Sequence, residues 1–386
     1  MADIVSSRQY FIQNRPSGFP IPGVPVWLIL CLCISLFFPG CEPKQDPFII
    51  GAVFDLTGKG AEDSRELRQG MELAISEVNK WGGINGQPIK LEVRDSRGDH
   101  HTAGAMFEEL ARKTSPHLMV THYSATSMAL APLAEKFNLP MVSCITSTPE
   151  LTRQNRWCFR FYTSAWEDVA PALAVLNQMH VTHLGVIYLD DPFGRELSGF
   201  FRTAYRESNK TLTEAAFETA TRDFADHVRA VMDTEAVYIV GLTSHLKSIL
   251  RAIRAAGYQG RVLGPAHMGN TGIRTMPEAA GVYVSAPTIY NPRYAAAGKL
   301  KQRFRERFQA DFDLFAANGY DLIKLLAGLM ENQSTDPETI RSCLAGGFSY
   351  SGVTGQINTR KGERDIIFSL KPAQILPNGS IRFRNQ

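Results

Sequence analysis

The residues of this chain that could do chemistry are hydroxyl side chains gathered in two short stretches. In the first, "VTHYSATS", Tyr123, Ser124, Thr126 and Ser127 fall within five positions, after an apolar run and before a helical pattern. One hydroxyl would be enough to cap the helix. Hydroxyls beside the free N–H groups of a helix start can also bind an anionic or carbonyl oxygen. We therefore expect at least one of the four to contact a ligand.

The second stretch, "VSCITSTPELT", follows the next predicted strand and repeats the pattern with Thr146, Ser147 and Thr148. Thr148 and Pro149 could be only a cap and the first helical residue. Loops that follow adjacent parallel strands meet at one edge of the sheet. We therefore expect Thr146 and Ser147 to serve the same ligand site as the first stretch.

Three further loops after predicted strands carry single candidates. Asp191 and Phe193 lie in "YLDDPFGREL", Thr243 lies in "GLTSHL", and His267 lies in "LGPAHMGNTG". Phe193 could turn an aromatic face toward a ligand. A capping role remains open for Asp191 and Thr243, and a structural role remains open for His267.

Catalytic and metal motifs are poor in this chain. It has no GxSxG nucleophile elbow, no phosphate-binding loop ending in Gly-Lys-Ser/Thr, and no GxGxxG after a strand. "DSRGDHH" gathers Asp95, Asp99, His100 and His101, but adjacent histidines cannot easily face one ion, so a solvated loop is favoured. We expect binding rather than catalysis, with no metal and no cofactor.

The elements that must position these loops alternate between strand and helix. The first series is strand 48–56, a helix from Asp63, strand 89–95, helix 101–112, strand 117–121, helix 128–137 and strand 140–143. The second is helix 167–179, strand 183–189, helix 194–207, strand 212–217, helix 224–232, strand 236–240, helix 244–256 and strand 261–264. Asp63 and Glu66 have capping-box spacing, which predicts the first helix start. The pattern predicts an α/β fold of two doubly wound parallel-sheet lobes.

The length of the chain agrees with two lobes, and its charge indicates no nucleic-acid partner. The chain has 386 residues, 44% hydrophobic and 20% charged, with a net charge of +3. It has no basic block, so nucleic acid is not an expected partner. We predict lobe 1 over 48–161 plus 287–351, and lobe 2 over 162–286 plus 352–386. The last part of the chain would complete the two lobes by crossing back between them, with the ligand in the cleft.

The N-terminal part predicts export. Residues 26–38, "VWLILCLCISLFF", suit the apolar region of a signal peptide and are short for a membrane span. The run leads to "FFPGC", which resembles a bacterial lipoprotein box. We expect residues 1–40 to be a signal peptide, Cys41 to be lipidated and 41–47 to be a tether. An uncleaved membrane anchor is the alternative.

Three cysteines would remain beyond Cys41, at Cys144, Cys158 and Cys343. Cys144 and Cys158 are the nearest pair and could form one disulfide. Buried free thiols, which behave as small apolar groups, are the alternative.

The motifs together resemble a known family. "GAVFDLTGKG", "GMELAISEVNKWGGINGQPIKLEVRDSRGD", "APLAEKFNLPMVSCITSTPELT", "YLDDPFGREL" and "FSYSGVTGQINTRKGER" are similar to the Leu/Ile/Val-binding-type periplasmic solute-binding proteins of ABC importers. The resemblance runs from about residue 48 to 382. It implies the type I periplasmic-binding fold, in which two lobes joined by a three-strand hinge close on a ligand by hinge motion.

The resemblance also implies roles for particular positions. Ser124 to Ser127 and Ile145 to Ser147 would hold the carboxylate of an amino acid, and Phe193 would cover the ligand. The acid that holds the ammonium group in the family's amino-acid binders is replaced here by Ala266. His267 or Asp191 could substitute for it. A neutral amide, a urea-like solute or a carboxylate without an amine therefore remains open as the ligand.

We expect a monomeric, lipid-anchored binding protein of the periplasm or cell surface that delivers a small polar solute to an ABC permease. The alternative is a ligand-sensing subunit for a membrane receptor or regulator. An enzyme is a third reading, which the missing catalytic motifs disfavour.

Overall fold

The computed structural model describes residues 45–384, without the side chains of residues 295 and 296. The predicted signal peptide at 1–40 and the predicted lipidation site Cys41 lie outside the described residues. Within residues 45–384, no helix is both long and apolar enough to cross a membrane.

Strands and helices alternate through most of this range. The strands are β1 Phe48–Phe54, β2 Ile89–Asp95, β3 Leu118–His122, β4 Met141–Cys144, β5 Cys158–Phe161, β6 His183–Leu189, β7 Thr211–Phe217, β8 Ala236–Val240, β9 Arg261–Gly264, β10 Tyr283–Ala286, β11 Ser349–Ser351, β12 Gln356–Asn358, β13 Asp365–Ile366, β14 Lys371–Ile375 and β15 Ile381–Phe383. The helices are α1 Ala61–Lys80, α2 His100–Lys113, α3 Ser124–Lys136, α4 Glu150–Gln154, α5 Ala165–Gln178, α6 Pro192–Glu207, α7 Ala225–Ala230, α8 Thr243–Ala255, α9 Thr271–Arg274, α10 Ala295–Phe308, α11 Leu314–Leu329 and α12 Pro337–Leu344.

The first sheet has the strand order β13-β5-β4-β3-β1-β2, and all its strand pairs are parallel. Alternate residues of β1 face opposite sides, as strand geometry requires. Ile50, Ala52 and Phe54 face a core shared with α1 and α11, while Val53 faces α2 and α3. Helices therefore cover both faces of this sheet, as the doubly wound pattern predicts.

Helices α1 and α11 make the closest helix contact of the first lobe. A Cβ atom on Gly70 would lie 1.9 Å from the carbonyl oxygen of Ala316, and one on Gly319 would lie 2.2 Å from that of Leu67. Only glycine leaves room for backbones at this separation. The contact holds the N-terminal turn of α1 in place beside the cleft.

The second sheet has the order β15-β14-β10-β9-β8-β6-β7. Its strands are parallel from β7 to β10, and β14 and β15 join antiparallel. Helices α5 and α6 pack on one face and α7 and α8 on the other. The α/β fold of two doubly wound lobes is therefore confirmed.

The chain passes three times between the two sheets: between β5 and α5, between β10 and α10, and between β13 and β14. The exact lobe boundaries stay a prediction. Residues 352–386 were predicted to belong to lobe 2, but within them β13 pairs with β5 of the first sheet. The Arg160 guanidinium, 2% exposed, holds it there through an ion pair of 3.1 Å to Asp365.

Two predicted helix starts are wrong. α1 begins at Ala61, with no side-chain cap on Gly60, so Asp63 lies inside the first turn and forms no capping box with Glu66. α3 begins at Ser124 rather than near residue 128, so the hydroxyl cluster belongs to the first turn of the helix rather than to a loop before it. The short strands β5, β10, β11 and β15 were also not predicted.

The three cysteines in the described part of the chain are free thiols. Cys144 and Cys158 lie on neighbouring strands but on opposite faces of the sheet, one in each core cluster. Their side chains point apart, so the structure contradicts the disulfide and agrees with the alternative of buried thiols. Burial raises the pKa of Cys158 to about 12 and raises the pKa of Cys144 further.

Candidate functional site

The loops that follow the strands of both sheets meet around one cavity. Its space, including the part open to solvent, is about 370 Å³. The cavity is lined by Asp63, Tyr123, Ser124, Ile145, Tyr162, Asp191, Phe193, Gly241, Leu242, His267 and Phe315. The carboxyl ends of parallel strands are where such folds form ligand crevices.

The N-terminus of α3 forms part of the first-lobe wall. Its first internal hydrogen bond runs from Ser127 N–H to the Tyr123 carbonyl, and no side chain caps the turn. The N–H groups of residues 124–126 therefore have no acceptor within the helix. Ser124 is 2% exposed, and its hydroxyl has no hydrogen-bond partner. This corner of the cavity offers several unused donors to an anionic or carbonyl oxygen.

Two residues at strand ends have strained backbones beside the cavity. Tyr123, after β3, has φ of 61°, and Ile145, after β4, has φ of 52°. The left-handed region is unfavourable for a β-branched residue such as isoleucine. Strain of this kind is concentrated at functional sites, where the surrounding structure holds it.

Ser127 and Thr146, both predicted to bind ligand, lie behind this wall. Ser127 Oγ is 2.9 Å from Thr121 Oγ1 and 2.5 Å from Ser143 Oγ, which in turn is 2.5 Å from Thr146 Oγ1. Thr146 also donates to the Cys144 carbonyl. The four hydroxyls form a buried chain that ties β3, β4 and α3 together.

Thr126 and Ser147 are buried in the same region and do not line the cavity. The Ser147 hydroxyl has no hydrogen-bond partner and is 1% exposed. Of the six first-lobe hydroxyl residues predicted from the sequence, the structure brings Tyr123 and Ser124 to the cavity and sets the other four behind it.

The second-lobe wall contains Asp191, Phe193 and His267. Asp191 caps α6, because its Oδ1 accepts a hydrogen bond of 2.8 Å from Gly194 N–H. Thr243 begins α8 and does not line the cavity. Its hydroxyl makes no hydrogen bond of ordinary geometry, although it lies close enough to lower the pKa of Asp63.

His267 is a neutral imidazole packed between aromatic rings. Its Nε2 lies 2.8 Å from the Gly241 carbonyl, which can only accept, so Nε2 carries the proton and Nδ1 is left as an acceptor. Burial lowers the pKa of His267 to about 4. Its ring centroid lies 6.2 Å from that of Phe193 and 5.7 Å from that of Phe315. The residue brings no positive charge to the cavity at neutral pH.

Ala266 leaves the second-lobe wall without an acid at that position. Its N–H donates a hydrogen bond of 2.7 Å to Asp168, which is buried in α5 outside the cavity lining. The acidic residue that sequence reasoning missed is Asp63, on the opposite wall. Because the sequence indicated a capping box, Asp63 was predicted to cap α1 rather than to line the cavity. No sequence feature predicted Tyr162 or Phe315 as lining residues.

Asp63 is 2% exposed, and its Oδ2 accepts a hydrogen bond of 2.7 Å from the Tyr123 hydroxyl. Its other oxygen, Oδ1, is buried with no partner. Burial raises the pKa of Asp63 to about 6, against the lowering effect of Thr243 and Tyr123.

The two lobes also touch through residues that do not line the cavity. The Lys247 ammonium of α8 lies 2.6 and 2.7 Å from the two carboxylate oxygens of Glu62. Lys59 donates to the carbonyls of Thr219 and Thr221, and Asn270 Nδ2 donates to Glu66 at 3.1 Å. These contacts describe a closed cleft.

The "DSRGDHH" loop is used for local structure. Asp95 accepts hydrogen bonds from the N–H groups of Leu56 and Arg97, and Asp99 caps α2. In the part of the chain that the structure describes, no group of three or more His, Cys, Asp or Glu residues could hold a metal ion.

Comparisons with known proteins agree with this geometry. A family model described as "Periplasmic binding protein" matches residues 47–379. The Leu/Ile/Val-binding protein of Escherichia coli (strain K12) is 23% identical over 324 residues, which cover 82% of this chain and 87% of that protein.

Solved structures share the fold at low identity. The branched-chain amino acid transporter substrate-binding protein of Streptococcus pneumoniae, in complex with isoleucine, has a TM-score of 0.77 at 20% identity and covers 87% of this chain and 98% of its own. A solute-binding protein of an ABC transporter from R. palustris, in complex with 4-hydroxybenzoate, has a TM-score of 0.77 at 17% identity. The match covers 88% of this chain and 96% of that protein.

Proposed function

Because the chain belongs to the periplasmic binding protein family, we propose that it captures a small polar solute between its lobes and delivers it to the permease of an ABC importer. Its relatives are solute-binding proteins rather than enzymes. The solute is an amino acid, an amide or a small carboxylate, the classes expected from the sequence.

The observation that carries the proposal is the uncapped N-terminus of α3 at a closed interlobe cavity. Free N–H groups and the unpaired Ser124 hydroxyl offer hydrogen bonds to a carboxylate or carbonyl oxygen. The positive end of the helix dipole favours an anion at this point. Apolar rings from Phe193 and Phe315 would enclose the rest of a small molecule.

The closing contacts support capture by hinge motion. Glu62, Glu66 and Lys59 of the first lobe bind partners on the second lobe, while the chain crosses between the sheets at only three places. A bound solute would add contacts to both walls and so favour the closed form over an open one.

We propose that the protein acts outside the cytoplasm, anchored through a lipid on Cys41. β1 begins at Phe48, seven residues beyond that cysteine, so only a short tether would separate anchor and lobe. Cys41→Ser is expected to abolish incorporation of a labelled fatty acid and to release the protein from membranes. Lipid incorporation that survives Cys41→Ser would contradict this assignment.

Thermal unfolding and calorimetry test the binding function. The exported protein in mild detergent is screened against amino acids, amides and short organic acids. A solute at about a hundred times its Kd should raise the unfolding temperature by several degrees, because it stabilises only the folded state. If no solute of any of these classes binds, the proposed function is wrong.

A further inference from the structure

Three acids lie in the first two turns of α1, and they face different ways. Glu62 pairs with Lys247, and Glu66 accepts a hydrogen bond from Asn270, so both are used at the contact between lobes. Asp63 alone lines the cavity. Its Oδ1 is buried and has no partner. Thr243 lies close enough to lower the pKa of Asp63, but no hydrogen bond of ordinary geometry reaches Oδ1. A buried carboxylate oxygen in this position can still accept a hydrogen bond from a ligand.

The cavity contains nothing that neutralises Asp63. Among the described residues, no lysine or arginine lines it, and His267 is neutral. The second lining carboxylate, Asp191, differs from Asp63 because it already caps α6. Asp63 is therefore the lining carboxylate whose binding capacity is unused.

Tyr123 connects this acid to the anion-binding corner. Its hydroxyl donates to Asp63, and the next residue along the chain is Ser124, at the uncapped start of α3. A negative subsite and a donor-rich subsite therefore lie side by side on one wall. A molecule with an ammonium and a carboxylate a few bonds apart would satisfy both.

We propose that Asp63 holds the ammonium group of the ligand, and that the cleft takes a zwitterion with a primary amine and a small uncharged side chain. The proposal rests on the solute-binding function above and narrows its ligand class. The negative charge that pairs with the ammonium would then lie on the first lobe, at Asp63. It would replace the second-lobe acid of the family's amino-acid binders, whose position is occupied here by Ala266. His267 Nδ1, an acceptor, is consistent with an N–H donor in the cavity.

Calorimetry at pH 8 on the wild-type protein tests the ligand class. The twenty common amino acids are screened by thermal shift, and the best is titrated beside the same acid without its amine, as L-leucine beside 4-methylpentanoate. We expect the amine to strengthen binding by about 100-fold or more, as for other buried charge pairs. Equal or tighter binding of the acid without the amine, or binding of neutral amides only, would overturn this inference and leave the solute-binding function standing.

Three variants assign the effect to Asp63. Asp63→Asn should weaken amino-acid binding by about 100-fold and remove the preference for the amine, and Asp63→Glu should restore part of it. Glu72→Gln removes the same charge from α1 at its surface pair with Arg68 and should leave binding unchanged. Full affinity in Asp63→Asn would overturn the proposal.

The unfolding temperature of Asp63→Asn distinguishes a loss of ligand binding from a folding defect. Without ligand, Asp63→Asn should unfold at a higher temperature than the wild type at pH 8, because it removes a buried charge with an unpaired oxygen. A variant that is more stable alone but no longer stabilised by the amino acid identifies a binding group. A ligand-free variant less stable than the wild type would mean that Asp63 serves the fold, against the proposal.

Discussion

The two walls of the cleft differ in how their polar groups are used. On the first-lobe wall, Ser124 and Asp63 each keep an unpaired oxygen beside the strained Tyr123. On the second-lobe wall, Asp191 is used as a cap and His267 is bound to a carbonyl. The first wall is therefore prepared to hydrogen-bond a ligand, and the second encloses it with rings. We infer that the first lobe determines which head group binds and that the second lobe contributes mainly apolar area and closure.

The largest loss among the first-wall hydroxyls should follow Ser124→Ala. A hydroxyl that donates to a charged group in a buried site contributes about 1.5–3 kcal/mol, so affinity should fall about 10- to 100-fold. Ser147→Ala is the matched control, since that hydroxyl is equally buried but lies behind the cavity. Calorimetry of both variants measures the difference. A larger loss in Ser147→Ala would place the ligand deeper than the cavity described above.

Affinity for an amino acid should fall by about tenfold between pH 8 and pH 5. The pKa of Asp63 is about 6 in the ligand-free protein, and its protonation at pH 5 removes the charge that attracts the ammonium. Asp191 has a pKa of about 6 as well, and Glu62 and Glu66 lie on the same helix, so Asp63→Asn must be titrated in parallel. Tighter binding at pH 5 would instead indicate a carboxylate ligand that the acids repel.

Stability of the ligand-free protein should change with pH in the direction set by Asp63. Folding raises the pKa of this group above its value of 3.8, so the folded state binds the proton more tightly than the unfolded state. The stability that Asp63 contributes by binding its proton in the folded state is greatest below pH 4 and is lost as the pH rises through 6. Comparing unfolding temperatures of wild type and Asp63→Asn from pH 4 to pH 8 isolates it. A difference between the two that does not depend on pH would contradict the assignment.

Phe193→Ala should test the enclosing role of the second wall. Loss of a buried aromatic contact should weaken binding by about tenfold, without changing the preference for an amine. Phe200→Ala, on the same helix and packed on Trp166 outside the cavity, is the control. If Phe193→Ala changed the preferred head group, the division of roles between the walls would be wrong.

The smallest effect on affinity is expected at the ion pair between Lys247 and Glu62, which joins the two lobes. Lys247→Gln removes a partly exposed ion pair with Glu62, with side chains 21% and 41% exposed, so affinity should fall only about two- to fivefold. The loss should disappear at high salt, where the wild-type pair is screened. A loss as large as that of Ser124→Ala would mean that closure, rather than head-group binding, dominates the affinity.

Much of the fold could be predicted because alternating strands and helices leave a strong pattern. β6, β8 and β9 were predicted to the residue. The four-residue strands β5 and β10 were missed, although β9 has the same length. Both lie where the chain crosses to the other sheet, so the alternation of strand and helix within one sheet does not mark them. The position of the cavity followed from the rule that ligands lie at the carboxyl ends of parallel strands.

The site residues were harder to predict because their roles depend on helix register. Once α3 begins at Ser124, that residue is in the uncapped first turn beside the cavity, whereas Ser127 is one turn inside and bonds to β3 and β4. Composition cannot separate these two serines. Asp63 was missed for a related reason, since a start at Ala61 changes a predicted capping residue into a cavity residue. An error of two residues at a helix start was therefore enough to misassign the acid.

The placement of Cys144 and Cys158 on opposite faces of one sheet has a consequence for how this protein matures. No disulfide joins the described part of the chain, so its folding needs neither a thiol oxidase nor a disulfide isomerase. Both thiols are buried and held protonated by raised pKa values, which protects them from peroxide and other oxidants. These two thiols should therefore leave the stability of the lobes the same under reducing and oxidising conditions.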